Sequence, residues 1–176
     1  MEPNVSHFSH YLDTSALIKL LIIEPDSENI RNFFEQNRMF YTTSVCFAEA
    51  LGVLKAKMSK KRGELTPEEY IETSKKLMIW IFGDRIQIDE VPLSRPDNFK
   101  EAEQLVKKYN IDLADAMQII TLLKGKFSKF IDGSMLITAD NDLSEAARKE
   151  KIRVWNCVKE TKPNLHSRKR FKYDNT

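Results

Sequence analysis

The stretch Tyr11-Leu12-Asp13-Thr14-Ser15-Ala16-Leu17-Ile18-Lys19-Leu20-Leu21 constrains the fold of this chain more than any other. An apolar approach stops at an acid, passes two hydroxyl residues and resumes as an apolar run at helical spacing. The pattern predicts a strand, a carboxylate at its carboxyl end, an N-cap and a helix. In parallel α/β sheets, ligands bind in the crevice outside the carboxyl ends of the strands. An acid placed there, backed by buried apolar residues, is costly unless something positive joins it.

The chain repeats the arrangement. Glu24-Pro25-Asp26-Ser27 breaks the first helix, and Ile30, Phe33 and Phe34 mark the next. Met39-Phe40-Tyr41-Thr42-Thr43 is aromatic and β-branched and predicts a second strand. Ser44 then reads as the N-cap of a helix from Val45 to Met58, with Glu49 in its second turn among Phe47, Ala48, Ala50 and Leu51. After a basic loop, Thr66-Pro67-Glu68-Glu69 has capping-box spacing with Pro at the first helical position, opening a helix to Phe82. Its apolar end, with Leu77, Trp80 and Ile81, reads as core or as a dimer surface.

Ile86 to Val91 alternates as a third strand, Pro92 to Asp97 reads as a turn, and Phe99 to Tyr109 as a helix. Asn110-Ile111-Asp112-Leu113-Ala114-Asp115-Ala116 opens another helix. Ser134 to Thr138 is a short apolar strand ending at Ala139-Asp140-Asn141-Asp142. A helix from Leu143 to Glu150 and a strand from Ile152 to Trp155 complete the pattern. Strands alternating with helices argue for a mainly parallel sheet with helices packed on it.

Acids therefore stand at or just past three strand-to-helix junctions: Asp13, Glu49, and Asp140 with Asp142. Asp112 and Asp115 open a fourth helix. Each has an ordinary reading. Asp112 suits an N-cap, Asp115 the third helical position, and Asp142 the cap of the Leu143 helix. A parallel sheet brings the three junctions to one edge, where carboxylates a few ångströms apart raise each other's pKa. A divalent cation resolves the conflict, and oxygen ligands without His or Cys favour Mg²⁺ or Mn²⁺ over zinc.

Four stretches together resemble the PIN domain, and within it the VapC-type toxin ribonucleases. They are Leu12 to Leu17, Thr43 to Glu49, Asp112 to Ala116 and Ile137 to Asp142, and the resemblance spans roughly residues 10 to 158. It implies a PIN-like three-layer α/β/α sandwich with a central mainly parallel sheet. It assigns Asp13, Glu49, Asp115 and Asp140 as the acids holding one or two Mg²⁺ or Mn²⁺ ions. Ser15, Thr138 and Asp142 would orient or support them. The implied activity is a metal-dependent endoribonuclease, one ion activating a water and the other steadying the leaving oxygen. The implied partners are an RNA substrate, an antitoxin protein covering the acids, and a second copy in a homodimer. Alternatives within the fold are an RNA- or protein-binding module without turnover, and an RNA-processing nuclease that is not a toxin.

Charge and length agree with this frame. The chain has 176 residues and a net charge of +2, expected to form one domain over residues 1–161 and a basic tail over 162–176. Five basic residues in that tail face only Asp174, leaving 23 basic against 25 acidic in the body. Lys60, Lys61, Arg62, Arg168, Lys169 and Arg170 are candidate phosphate contacts, which position RNA without reading its sequence. Cys46 and Cys157 sit in apolar patterns and read as core, and His7, His10 and His166, near the termini, as solvated surface. No apolar run approaches the roughly 18 residues that span a bilayer. The N-terminus lacks a signal-peptide pattern, so the expected location is the cytoplasm, away from membranes.

Two other families also place an Asp after a first strand. Haloacid-dehalogenase-like phosphatases need a second acid two residues on, where this chain has Ser15. Receiver-type domains need adjacent acids near the first strand end and a Lys after a late strand, and this chain has neither.

Overall fold

The computed structural model describes residues 8–24, 26–59, 63–129 and 133–163. The chain begins with β1 (Ser9–Leu12), α1 (Thr14–Leu21), α2 (Glu28–Gln36) and β2 (Phe40–Thr42). It continues through α3 (Ser44–Met58), α4 (Pro67–Phe82), β3 (Ile86–Ile88), α5 (Pro96–Tyr109) and α6 (Leu113–Lys124). It closes with β4 (Ser134–Thr138), α7 (Asn141–Lys149) and β5 (Arg153–Asn156). The described strands pair in parallel in the order β3-β2-β1-β4-β5.

Side chains alternate across each strand, and the alternation sorts the helices into two layers. Leu12, Phe40, Ile86, Met135, Ile137 and Trp155 face a core built with α1, α2, α3 and α4. Tyr11, Tyr41 and Leu136 face the opposite core, filled by α5, α6 and α7. The result is a three-layer α/β/α sandwich with an all-parallel sheet. The direction of chain progress reverses at β1, whose neighbours are β2 and β4. The crevice beyond the carboxyl ends of β1 and β4 is therefore the topological switch point.

The expected elements form, with several corrections. Asp13 itself caps α1, its carboxylate accepting from the Ala16 amide, so no separate hydroxyl cap intervenes. Thr43 rather than Ser44 caps α3; Ser44 begins the helix and bonds instead to the Glu90 carboxylate. The capping box at Thr66 and Glu69 is formed. β3 ends at Ile88 because Asp89 turns inward. Its carboxylate accepts from the Tyr11 hydroxyl at 2.5 Å and from the Lys126 and Phe127 amides at 3.1 Å. Pro96 starts α5, shortening the expected turn.

The surface reading of His10 is also corrected. It lies in β1, 1% exposed, with Nδ1 at 2.9 Å from the Arg38 carbonyl and its ring against Phe33 and Phe40. Strand alternation puts it on the same face as Leu12, so the sheet buries it despite its nearness to the terminus. Both cysteines are buried and unpaired. The apolar end of α4 divides: Leu77 is fully buried, while Ile79 and Phe82 are 67% and 76% exposed.

Among the described residues, no helix is long and apolar enough to cross a membrane. Lys60, Lys61, Arg62, Arg168, Lys169 and Arg170 lie outside the described residues, as does the tail beyond residue 163.

Candidate active site

Asp13 stands at the switch point because β1 ends there and α1 begins at the next residue. Its Oδ1 accepts from the Ala16 amide at 2.7 Å and its Oδ2 from the Thr138 hydroxyl at 2.6 Å. Ser15 Oγ lies 2.8–2.9 Å from both oxygens. Thr138, the last residue of β4, also accepts from the Asp140 amide at 2.9 Å, and Ser15 accepts from the Ala139 amide at 2.7 Å. One hydrogen-bonded cluster thus joins the carboxyl ends of the two strands and fixes the Asp13 carboxylate. Asp13 is 5% exposed, and burial raises its pKa to about 6 against the lowering effect of its donors.

Asp140 caps α7 through a 2.9 Å bond from the Leu143 amide. That replaces Asp142 as the expected cap, and Asp142 lies exposed in the first turn. The start of α7 is held by Asn156 of β5, whose amide donates to Asn141 Oδ1 at 3.2 Å and Ser144 Oγ at 3.3 Å. Glu49 is exposed rather than enclosed by its apolar neighbours; the Thr14 hydroxyl donates to it at 2.5 Å, tying α3 to α1. Asp112 caps α6 by accepting from the Asp115 amide at 2.8 Å.

Asp115, half-buried, reports where these acids are. Burial and then the charges of Asp112, Asp140, Asp13 and Glu49 push its pKa up to about 7. Asp13, Glu49, Asp112, Asp115 and Asp140 therefore share one neighbourhood, and Asp142 is not among the charges that act on Asp115. Among the described residues, none of Asp13, Glu49, Asp115 and Asp140 forms an ion pair. No described group of three or more His, Cys, Asp or Glu side chains is yet drawn together as a closed metal cage. The donor set nonetheless fits a hard divalent cation: oxygen only, like-charged, and without a protein cation among them. Mg²⁺ keeps several waters and needs only one or two carboxylates.

A model of the PIN domain family matches residues 10–149. The chain belongs to the PIN domain family. PIN domains are nuclease-type folds that typically use divalent metals, and the acid cluster lies within the matched span. The crystal structure of PAE2754 from Pyrobaculum aerophilum is similar in fold, with a TM-score of 0.57 and 14% identity over 87% of each chain. No curated protein matches the sequence.

Several supports of this PIN site were not legible as motifs. Thr14 reads as a helix-start hydroxyl, yet it holds Glu49. Asn156 reads as the residue after a strand, yet it is buried and anchors the Asp140 turn. A polar residue closing a strand pattern is the available signal for it. Gln118 is buried in α6 and accepts from the Cys46 thiol at 3.3 Å, while its Nε2 has no hydrogen-bond partner among the described residues.

Proposed function

We propose that this protein is a metal-dependent endoribonuclease that hydrolyses RNA phosphodiesters, acting as the toxin of a toxin–antitoxin pair. The observation that supports the reading is that Asp13, Glu49 and Asp140, from separate segments, all raise the pKa of Asp115, while among the described residues none of the four is ion-paired. Asp13, Glu49, Asp115 and Asp140 would hold one or two Mg²⁺ or Mn²⁺ ions. Such ions, when bound, polarise a phosphoryl oxygen and make a water acidic enough to attack at neutral pH.

The chain's own groups prepare that site. Ser15 and Thr138 hold the Asp13 carboxylate in one orientation, and Thr14 does so for Glu49. Among the described residues Asp115 has no such side-chain donor, and burial and the charges of its neighbours raise its pKa to about 7. Asp142, at the exposed start of α7, would support the site from outside. Lys60, Lys61, Arg62, Arg168, Lys169 and Arg170 would contact RNA phosphates. An antitoxin segment with a basic side chain would satisfy the same acids, and a homodimer is the proposed assembly.

Labelled RNAs incubated with Mg²⁺ or Mn²⁺, beside EDTA and Asp13→Asn controls, test the activity. Cutting that both controls abolish is the expected result. Mn²⁺ should also raise the melting temperature of the wild type more than that of Asp13→Asn. Equal cutting by wild type and Asp13→Asn would overturn the site assignment. Metal-stabilised protein that cuts no RNA would favour the non-cutting RNA-binding reading, which the engagement of both Asp13 oxygens also favours.

A further inference from the structure

The amino-terminal edge of the sheet, opposite the acid cluster, carries a cavity of about 350 Å³. It lies where α2 and α4 deliver the chain to β2 and β3. Arg31, Arg38, Lys76 and Arg85 line it together with Phe34 and Trp80, and Glu35 is its one acid. Four cations converge here from two segments distant in sequence, Arg31 and Arg38 from α2 and its end, Lys76 and Arg85 from α4 and the turn after it.

Two of these cations have structural work. Arg85 donates to the Asn37 carbonyl at 2.9 Å and to the Phe34 carbonyl, its guanidinium 4.1 Å from the Phe34 ring centroid. Arg38 reaches the Glu35 and Asn37 carbonyls at 3.4 and 3.2 Å. Carbonyls at the end of α2 carry partial negative charge, so cations there are favourable. That argument does not extend to Arg31 and Lys76, which lie in helix interiors. Lys76 sits 5.0 Å over the Trp80 ring, and among the described residues neither side chain has a carboxylate or carbonyl partner. Burial and the Arg31 charge depress the Lys76 ammonium against the weaker raising effect of Glu35, and burial and Arg38 depress Arg85. Four cations thus face a single lining carboxylate, Glu35, and a polyanion would relieve their mutual repulsion.

We infer that this cavity binds a phosphate-bearing ligand of nucleotide size, with Arg31 and Lys76 as its principal phosphate contacts. The volume lies within the roughly 300–1,000 Å³ of small-molecule sites. Arginine forks match phosphate oxygens in geometry as well as charge. A chain of phosphates meets several cations at once, which a single carboxylate does not. Because the acid cluster lies at the far end of the strands, this site is separate from the proposed cleavage centre. The phosphates belong either to a free nucleotide or to an RNA strand anchored away from the cut.

Trp80 lines the cavity and Trp155 is buried in the core, so tryptophan fluorescence reports occupancy. The full chain, in EDTA and low salt, is titrated with inorganic tripolyphosphate, uridine triphosphate and decauridylate. Saturable quenching by tripolyphosphate is expected, weakened about tenfold or more by Lys76→Met and by Arg31→Gln, as loss of a charge-assisted contact predicts. Asp13→Asn should bind as the wild type does. Decauridylate binding tenfold tighter than the triphosphate identifies strand anchoring, and equal affinities identify a nucleotide. The Trp80 indole N–H resonance gives a second readout, and unchanged melting temperatures confirm that the variants fold. The proposal is overturned if no probe saturates below about 1 mM, if both variants bind like wild type, or if a hexaglutamate peptide binds as tightly as tripolyphosphate.

Discussion

Replacing Asp115 by Asn should stabilise the metal-free protein, and the pH dependence of that gain tests the acid cluster itself. The carboxyl has an ordinary pKa of 3.8 and a folded value of about 7, raised first by burial and then by Asp112, Asp140, Asp13 and Glu49. A folded pKa above the unfolded one means that the native state holds the proton more tightly. Stability from this group is therefore greatest below about pH 4 and is lost as pH rises towards about 7. At about 1.4 kcal/mol per pKa unit the full loss would be about 4 kcal/mol. Asp115 is only half-buried, and solvent screening reduces this to about 2 kcal/mol. Asn also forfeits the attraction of an acid in the first turn for the helix dipole, about 0.3–1 kcal/mol. A net gain of about 1–2 kcal/mol remains near pH 8, falling to almost nothing near pH 4. Urea melts in EDTA at the two pH values measure it. With saturating Mn²⁺ the order should reverse, because free ion about a hundredfold above its Kd stabilises the wild type by about 3 kcal/mol. An Asp115→Asn protein no more stable than wild type near pH 8 would refute the claim that these acids repel one another.

Other perturbations reach separate parts of the structure. Thr138→Val removes the 2.6 Å donor to Asp13 and should raise that carboxyl's pKa further, with RNA cleavage falling about 10–100-fold as for lost supports of metal ligands. Carboxyl chemical shifts and initial rates would check both. His10 is held neutral by burial, its pKa lowered to about 4 from 6.5, so the unfolded chain binds the proton first as pH falls. His10→Phe should therefore stabilise the protein more near pH 5 than near pH 8 in thermal melts, and the Nε2, without a hydrogen-bond partner among the described residues, adds to the gain. At Gly125 a Cβ would lie 2.5 Å from Asp89 Oδ2 and 2.6 Å from the Thr121 carbonyl. Gly125→Ala should cost about 1–3 kcal/mol through overpacking, read from denaturant midpoints.

What the sequence made legible was local. Asp13 stood out because an apolar strand, an acid and a helical run are adjacent in the chain, and the same holds for Asp140 after β4. Which acid caps α7 was not legible, since Asp140 and Asp142 are both good caps; the turn after Thr138 decides it by offering the Leu143 amide to Asp140. Asp89 read as one position in an alternating strand because its partners, Tyr11 and the loop after α6, are 78 and 37 or more residues away. The burial of His10 is hidden for the same reason, as position along the chain says nothing of what the sheet lays over it. The cationic cavity is the extreme case. Arg31, Arg38, Lys76 and Arg85 each look like an ordinary surface charge, and only the parallel crossovers, which return each segment to the same edge before the next strand, set the Arg31–Arg38 pair beside the Lys76–Arg85 pair. The same crossovers set the acids together at the opposite edge. The sheet thereby separates charge of opposite sign along its strand direction, acids beyond its carboxyl ends and cations before β2 and β3.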